Sequence, residues 1–181
     1  MKIIDCITYF DEPLLFEIRA NTLSDYVDQF IVCEAKYTHA GKKKNLNFDI
    51  NRYKKFKDKI NYIVVDQQPD NLFDESKINK TNNQFYRLNA QRRIYLQREA
   101  IFEELSKNDK EDWIIYSDSD EIPNLEYFKF NTCKKKVVLF NQKLFYYKFN
   151  LKLIDNSWFG SKACKLKNLK SISALRNIKP K

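Results

Sequence analysis

An α/β fold, with a mainly parallel central sheet flanked by helices, is the architecture this sequence predicts, as one domain over residues 1–181. Three observations point to it. Apolar runs of strand length alternate with longer segments of helical periodicity, the pattern of βαβ units. The 14 Phe and 11 Tyr supply enough apolar bulk for a single core at this chain length. No internal repeat, low-complexity tract or Gly/Ser linker divides the chain.

Residues 2–10, "KIIDCITYF", read as a buried first strand. "DEP" follows, where Asp11 or Glu12 opens a helix with Pro13 in its first turn. In this helix Leu14, Leu15, Ile18, Leu23 and Val27 approximate an apolar stripe, and Glu17 and Arg19 are expected to form a partly buried ion pair. "QFIVCEA" is a second strand ending near Glu34, and a polar loop with Gly41 as breaker comes next. A Lys-rich helical or irregular segment leads to a third strand, "INYIVVD". Residues 66–82 are turn-rich. Residues 83–105 have the pattern of a long helix, with Phe85, Leu88, Ile94, Ile101 and Leu105 apolar and Gln91, Arg92, Arg98 and Glu99 on the polar side. "DWIIYSD" is a fourth strand, "KKVVLFN" a fifth, and "LFYYKFNLKLI" reads as one or two more. The terminal "LKNLKSISALRNIKPK" fits a short basic amphipathic helix, a strand or a frayed end.

The balance of 33 Lys and Arg against 24 Asp and Glu gives a formal charge of +9. The basic residues are scattered, with no clustered arm or nucleic-acid motif, so charge alone assigns no partner and nucleic-acid binding is not expected. Four cysteines without C-x-x-C spacing and a single histidine, His39, argue against a zinc site of ordinary ligand pattern. All four cysteines are expected to be reduced. Absence of a signal-peptide pattern or a long apolar run suggests no transmembrane segment and a cytoplasmic protein.

The chemistry concentrates in "DWIIYSDSDEIPN", residues 112–124. Ligands of open α/β sheets bind outside the carboxyl ends of the strands, where Asp118 and Asp120 emerge. If extended geometry persists through Ser119, the two carboxylates share a face. Close carboxylates repel unless one is protonated or a cation lies between them. A hard divalent ion, Mg²⁺ or Mn²⁺, fits that need and keeps positions open for a diphosphate. The competing reading is an ordinary acidic turn.

The blocks "DCITYFDEPLLFEIRANTL", "VDQFIVCEAKYTHAGKKKNLNF", "YLQREAI", "DWIIYSDSDEIPN" and "SWFG", in this order, resemble glycosyltransferase family 17 between about residues 4 and 160. The family includes the bisecting β-1,4-mannosyl-glycoprotein N-acetylglucosaminyltransferase of protein N-linked glycosylation. The resemblance implies a short, C-terminally shortened member with a GT-A-like nucleotide-diphospho-sugar transferase fold and a D-x-D motif. It also implies a UDP-sugar donor, commonly UDP-N-acetylglucosamine, a glycan acceptor, Mn²⁺ or Mg²⁺, and inversion at the anomeric carbon.

On this resemblance Asp120 binds the metal, and Asp118 contacts the ribose or the metal. Asp11, Glu12 and Glu34 are candidates for nucleotide contact, and Arg98, or Arg92, for the diphosphate. His39 and Lys42 are weighed for the site against ordinary solvation. Trp158, with Gly160, is either a sugar-facing platform or a core aromatic. The general base is Asp155, Glu121 or Glu126, and the sequence leaves the choice open. Two rival functions are a degenerate transferase fold that binds nucleotide or glycan without turnover, and a haloacid-dehalogenase-like phosphatase. The latter needs a second acidic pair that the residues after Asp120 do not offer.

Overall fold

A computed structural model describes residues 1–74, 84–145, 150–154 and 157–180. Six strands form one sheet in the order β3-β2-β1-β4-β6-β5. They are β1 (Ile3–Tyr9), β2 (Gln29–Ala35), β3 (Ile60–Val65), β4 (Trp113–Asp118), β5 (Val137–Leu139) and β6 (Lys162–Lys165). The β1–β2, β2–β3 and β1–β4 pairs are parallel, whereas β4–β6 and β5–β6 are antiparallel. The sheet is therefore mixed, not mainly parallel as the sequence suggests. The difference arises after residue 140. No strand forms among the described residues of "LFYYKFNLKLI", which carry only an isolated bridge between Phe145 and Lys152. The sheet is completed instead by the short "KACK", whose chain runs against β4.

Period-two alternation divides the core between the two faces of the sheet. Ile7 and Tyr9 of β1 and Trp113 and Ile115 of β4 pack with Phe16, Phe30, Phe48 and Phe130 on the face covered by α1 (Pro13–Leu23). Ile4 and Cys6 of β1 and Ile114 and Tyr116 of β4 join Ile101 and Leu105 of α2 (Gln84–Leu105) on the other. The short helix α3 (Ile172–Arg176) adds Ile172 and Leu175 to that second face. Its N-cap, Ser171, accepts the Ala174 N–H, the capping expected of serine.

Both long helices bury a different stripe from the one their apolar residues suggest. In α1 the inward residues are Phe16, Arg19, Ala20 and Leu23, while Leu14 is 64% exposed. In α2 they are Asn89, Arg93, Gln97, Ile101 and Leu105, a strict i+4 row whose first three members are polar. Each of those three is satisfied, which is what makes its burial tolerable. Asn89 donates to Phe73 O and accepts from Phe73 N, Arg93 bonds Gln68 Oε1 and His39 O, and Gln97 Nε2 donates to Cys33 O at 2.7 Å.

All four cysteines are free, and burial pushes the Cys33 and Cys164 thiols up to about 12, so neither is a thiolate at neutral pH. No helix among the described residues is long and apolar enough to cross a membrane.

Candidate functional site

The carboxyl ends of β1, β2 and β4 open into a cleft of about 380 Å³. Thr8, Tyr9, Phe10 and Glu12 line it from the end of β1, and Ala35, Tyr37, Thr38 and His39 with Lys44 from the end of β2. Ile94, Gln97 and Arg98 come from α2, and Asp118, Ser119 and Asp120 from the end of β4. The volume suits one small-molecule ligand.

The acidic residues reach the cleft by a turn rather than by extended backbone. β4 ends at Asp118, and Glu121 N–H donates to Asp118 O at 3.0 Å, closing a tight turn over Ser119 and Asp120. The shared strand face expected for Asp118 and Asp120 is thus replaced by adjacency within one turn. Asp120 is exposed in the cleft wall, and its carboxylate has no hydrogen-bond or ion-pair partner among the described residues. Asp118 lies between two guanidinium groups. Arg98 Nη2 is 3.8 Å from Oδ1, and Arg176 Nη2 donates to Oδ2 at 2.6 Å.

Beneath the turn runs a buried polar network. Arg19, 0% exposed, donates from Nε and Nη2 to the two oxygens of Asp5, both at 2.7 Å. Its Nη1 donates to Glu121 O at 2.9 Å and its Nη2 to Ser117 Oγ at 3.0 Å. Ser117 Oγ donates to Ser161 Oγ, which in turn donates to Glu121 O at 2.9 Å. Residues 5 and 117 point to the α1 face by strand alternation, so Arg19, one of the inward residues of α1, meets both. The ion pair is Arg19–Asp5. Glu17, the partner expected from sequence, is exposed.

Glu34 is turned away from the cleft. Fully buried, it accepts from Lys44 Nζ, from Asn47 N at 2.8 Å, from Phe48 N at 3.0 Å and from the Tyr62 hydroxyl at 2.7 Å. Its carboxylate is committed to pinning the 44–48 segment and cannot read a nucleotide. The result is to hold Lys44 at the cleft wall, with its ammonium 5.3 Å from the Phe10 ring centroid. Lys42, singled out in the same run, is exposed and outside the lining.

Of the pair after β1, Glu12 lines the cleft but spends one oxygen on the Phe10 and Asp11 N–H groups, each at 3.1 Å; Asp11 is exposed outside the lining. His39 stands at the rim. Partial burial lowers its imidazole pKa from the ordinary histidine value, against a hydrogen bond with Gln97 that raises it. Arg92 faces away, over the Phe73 ring at 4.2 Å in a separate groove, and so does not reach the acidic turn.

Glu121 does not have the setting of a general base. It is 7% exposed and outside the cleft lining, and both oxygens are engaged. Oε2 accepts from Asp118 N, and Oε1 accepts from Trp158 Nε1 and Arg176 Nη2, all at 2.9 Å. Trp158 therefore bonds Glu121 instead of standing in the cleft as a platform. Gly160 is needed for this packing: a Cβ there would lie 2.3 Å from Glu121 Cδ. Glu126 is exposed, and Asp155 lies outside the described residues.

The residues missed by sequence reasoning are Asp5, Lys44, Ser161 and above all Arg176. Its only local signal was a cation following the apolar pair Ile172 and Leu175, on a segment whose docking partner lies 55 or more residues away.

Comparison with known families gives a match between residues 1–172 and the model of glycosyltransferase family 17. A comparison with curated proteins finds no match.

Proposed function

The chain belongs to glycosyltransferase family 17, and from that premise we propose that it moves a sugar, N-acetylglucosamine, from a UDP-sugar to a glycan hydroxyl with inversion, on a GT-A-like fold. The observation that carries this reading is convergence. Four sequence blocks far apart in the chain supply the end of β1, the end of β2, the middle of α2 and the acidic turn after β4, and all four line one cleft.

Phe10, 51% exposed at the cleft lip, and Tyr37 offer aromatic faces for the flat uracil ring. Lys44 and Arg98 place two cations in the same wall, and the Arg98 fork suits bidentate binding of phosphate oxygens. Arg98 Nε is held by the Tyr116 hydroxyl at 3.0 Å, so its guanidinium is oriented before a ligand arrives. The donor would then lie with its base toward β1 and β2 and its diphosphate toward the acidic turn.

The donor set at that turn fits a hard divalent cation. Asp120, a carboxylate without a partner among the described residues, and Asp118, two positions before it, both line the cleft as oxygen donors. Asp120 and Asp118 would hold Mn²⁺ or Mg²⁺. When bound, the ion neutralises the charge that develops on the leaving diphosphate. The chain's own contribution is a preorganised frame: the Arg19 network fixes the carbonyls of the turn, and Arg98 and Lys44 fix the phosphates.

Turnover is tested by UDP release from a panel of UDP-sugars with a mannose-terminated N-glycan as acceptor and Mn²⁺ present. The expected result is release above donor hydrolysis with UDP-N-acetylglucosamine. Equal acceptor-independent release from every donor would contradict the transferase reading.

A further inference from the structure

Asp118 and Glu121 are two carboxylates at the ends of one turn, and a protein cation already sits between them. Arg176 Nη2 lies 2.6 Å from Asp118 Oδ2 and 2.9 Å from Glu121 Oε1, while its Nη1 donates to Gly160 O at 3.0 Å. The guanidinium side chain is only 16% exposed. Its position is fixed from two more directions. Lys162 Nζ donates to the Arg176 carbonyl, and α3 is anchored in the core by Ile172 and Leu175.

The two oxygens of Asp118 are thereby divided. Arg176, which does not line the cleft, takes Oδ2; Oδ1 stays on the side of Arg98, which does. Without Arg176, Asp118 and Glu121 would repel, and Glu121 Oε1 would keep only the indole of Trp158. Among the described residues the Asp118 carboxylate would then keep only Arg98, which approaches to 3.8 Å.

We propose that Arg176 is a positioning residue for the donor site: its guanidinium bridges Asp118 and Glu121 so that Asp118 presents one fixed oxygen to the cleft. This rests on the reading of the cleft as a metal–UDP-sugar site and adds α3 to the elements that build it. Arg176 stands outside the cleft lining and acts through Asp118. Outer contacts that orient a ligating carboxylate change metal affinity by about 10- to 100-fold when removed, and that range sets the expectation here.

The test is calorimetric titration of UDP into the full chain, with and without Mn²⁺, for the wild type, Arg176→Ala and Arg176→Lys, beside a melting curve for each. If the proposal holds, Arg176→Ala weakens Mn²⁺-dependent UDP binding by about tenfold or more, while the weaker binding without Mn²⁺ is unchanged. Arg176→Lys recovers part of the loss, since an ammonium supplies the charge without the fork. Wild-type binding that Arg176→Ala leaves intact overturns the role of Arg176 alone. A loss in step with melting, equal with and without Mn²⁺, shows a merely structural residue and also overturns it. Failure of the wild type to bind UDP under either condition removes the donor-site reading and this inference with it. Should Arg176→Ala not fold, Arg176→Lys decides by the same ratio: selective weakening with Mn²⁺ supports the proposal, and an unchanged ratio overturns it.

Discussion

The turn at residues 118–121 and the stretch at residues 150–154 are held in different ways. The turn is tied from below by Arg19, Ser117 and Ser161 and from the side by Arg176. The stretch 150–154 is held by less among the described residues: Lys152 bridges Phe145, Leu153 N–H donates to Leu144 O at 2.9 Å, and Ile154 is 76% exposed. The frame of the acidic turn is therefore fixed from several sides at once, whereas Ile154 contributes little to any buried network.

Mutations can sharpen that contrast. The largest effect is expected at Arg19→Met, which leaves Asp5 charged and unpaired in the core and should cost about 3–5 kcal/mol in unfolding free energy by denaturant titration. A cost under about 1 kcal/mol would mean that the buried network does not frame the turn. Gly160→Ala should be next. The added methyl meets Glu121 and Trp158 at 2.3 and 2.6 Å, and overpacking of this kind costs about 1–3 kcal/mol. Its second signature is a shifted emission from Trp158, because the indole must give up its bond to Glu121. At the far end, Ile154→Ala should change stability by under about 0.5 kcal/mol, as is usual for exposed positions outside such networks. A larger loss would show the later segment to be tied as firmly as the turn.

The same contrast explains what the sequence revealed. β1, β2, β3 and β4 were legible because each is a mostly apolar run of six or seven residues, and their carboxyl ends located the cleft. β6 was not, because "KACK" has four residues, two of them lysines, and Lys162 is buried only by virtue of its bond to the Arg176 carbonyl. The inner row of α2 was misread for a related reason: Asn89, Arg93 and Gln97 resemble a solvent face until their partners on the β2 and β3 loops are known. Acidic residues could be placed at a strand end from pattern alone. Which cation balances them could not, since Arg176 reaches Asp118 across 58 positions of sequence. Glu34 shows the converse error, an end-of-strand carboxylate in the right place for a nucleotide but turned inward to its own loop.

Asp120 is the carboxylate in the cleft wall that has no partner among the described residues. Titrating UDP with and without Mn²⁺ against the wild type and Asp120→Ala tests its role most directly. The predicted result is UDP binding enhanced by Mn²⁺ in the wild type, with that enhancement lost in Asp120→Ala and the melting temperature unchanged. Metal-independent binding, or binding that the substitution leaves as it was, would contradict the assignment of the acidic turn to the donor diphosphate.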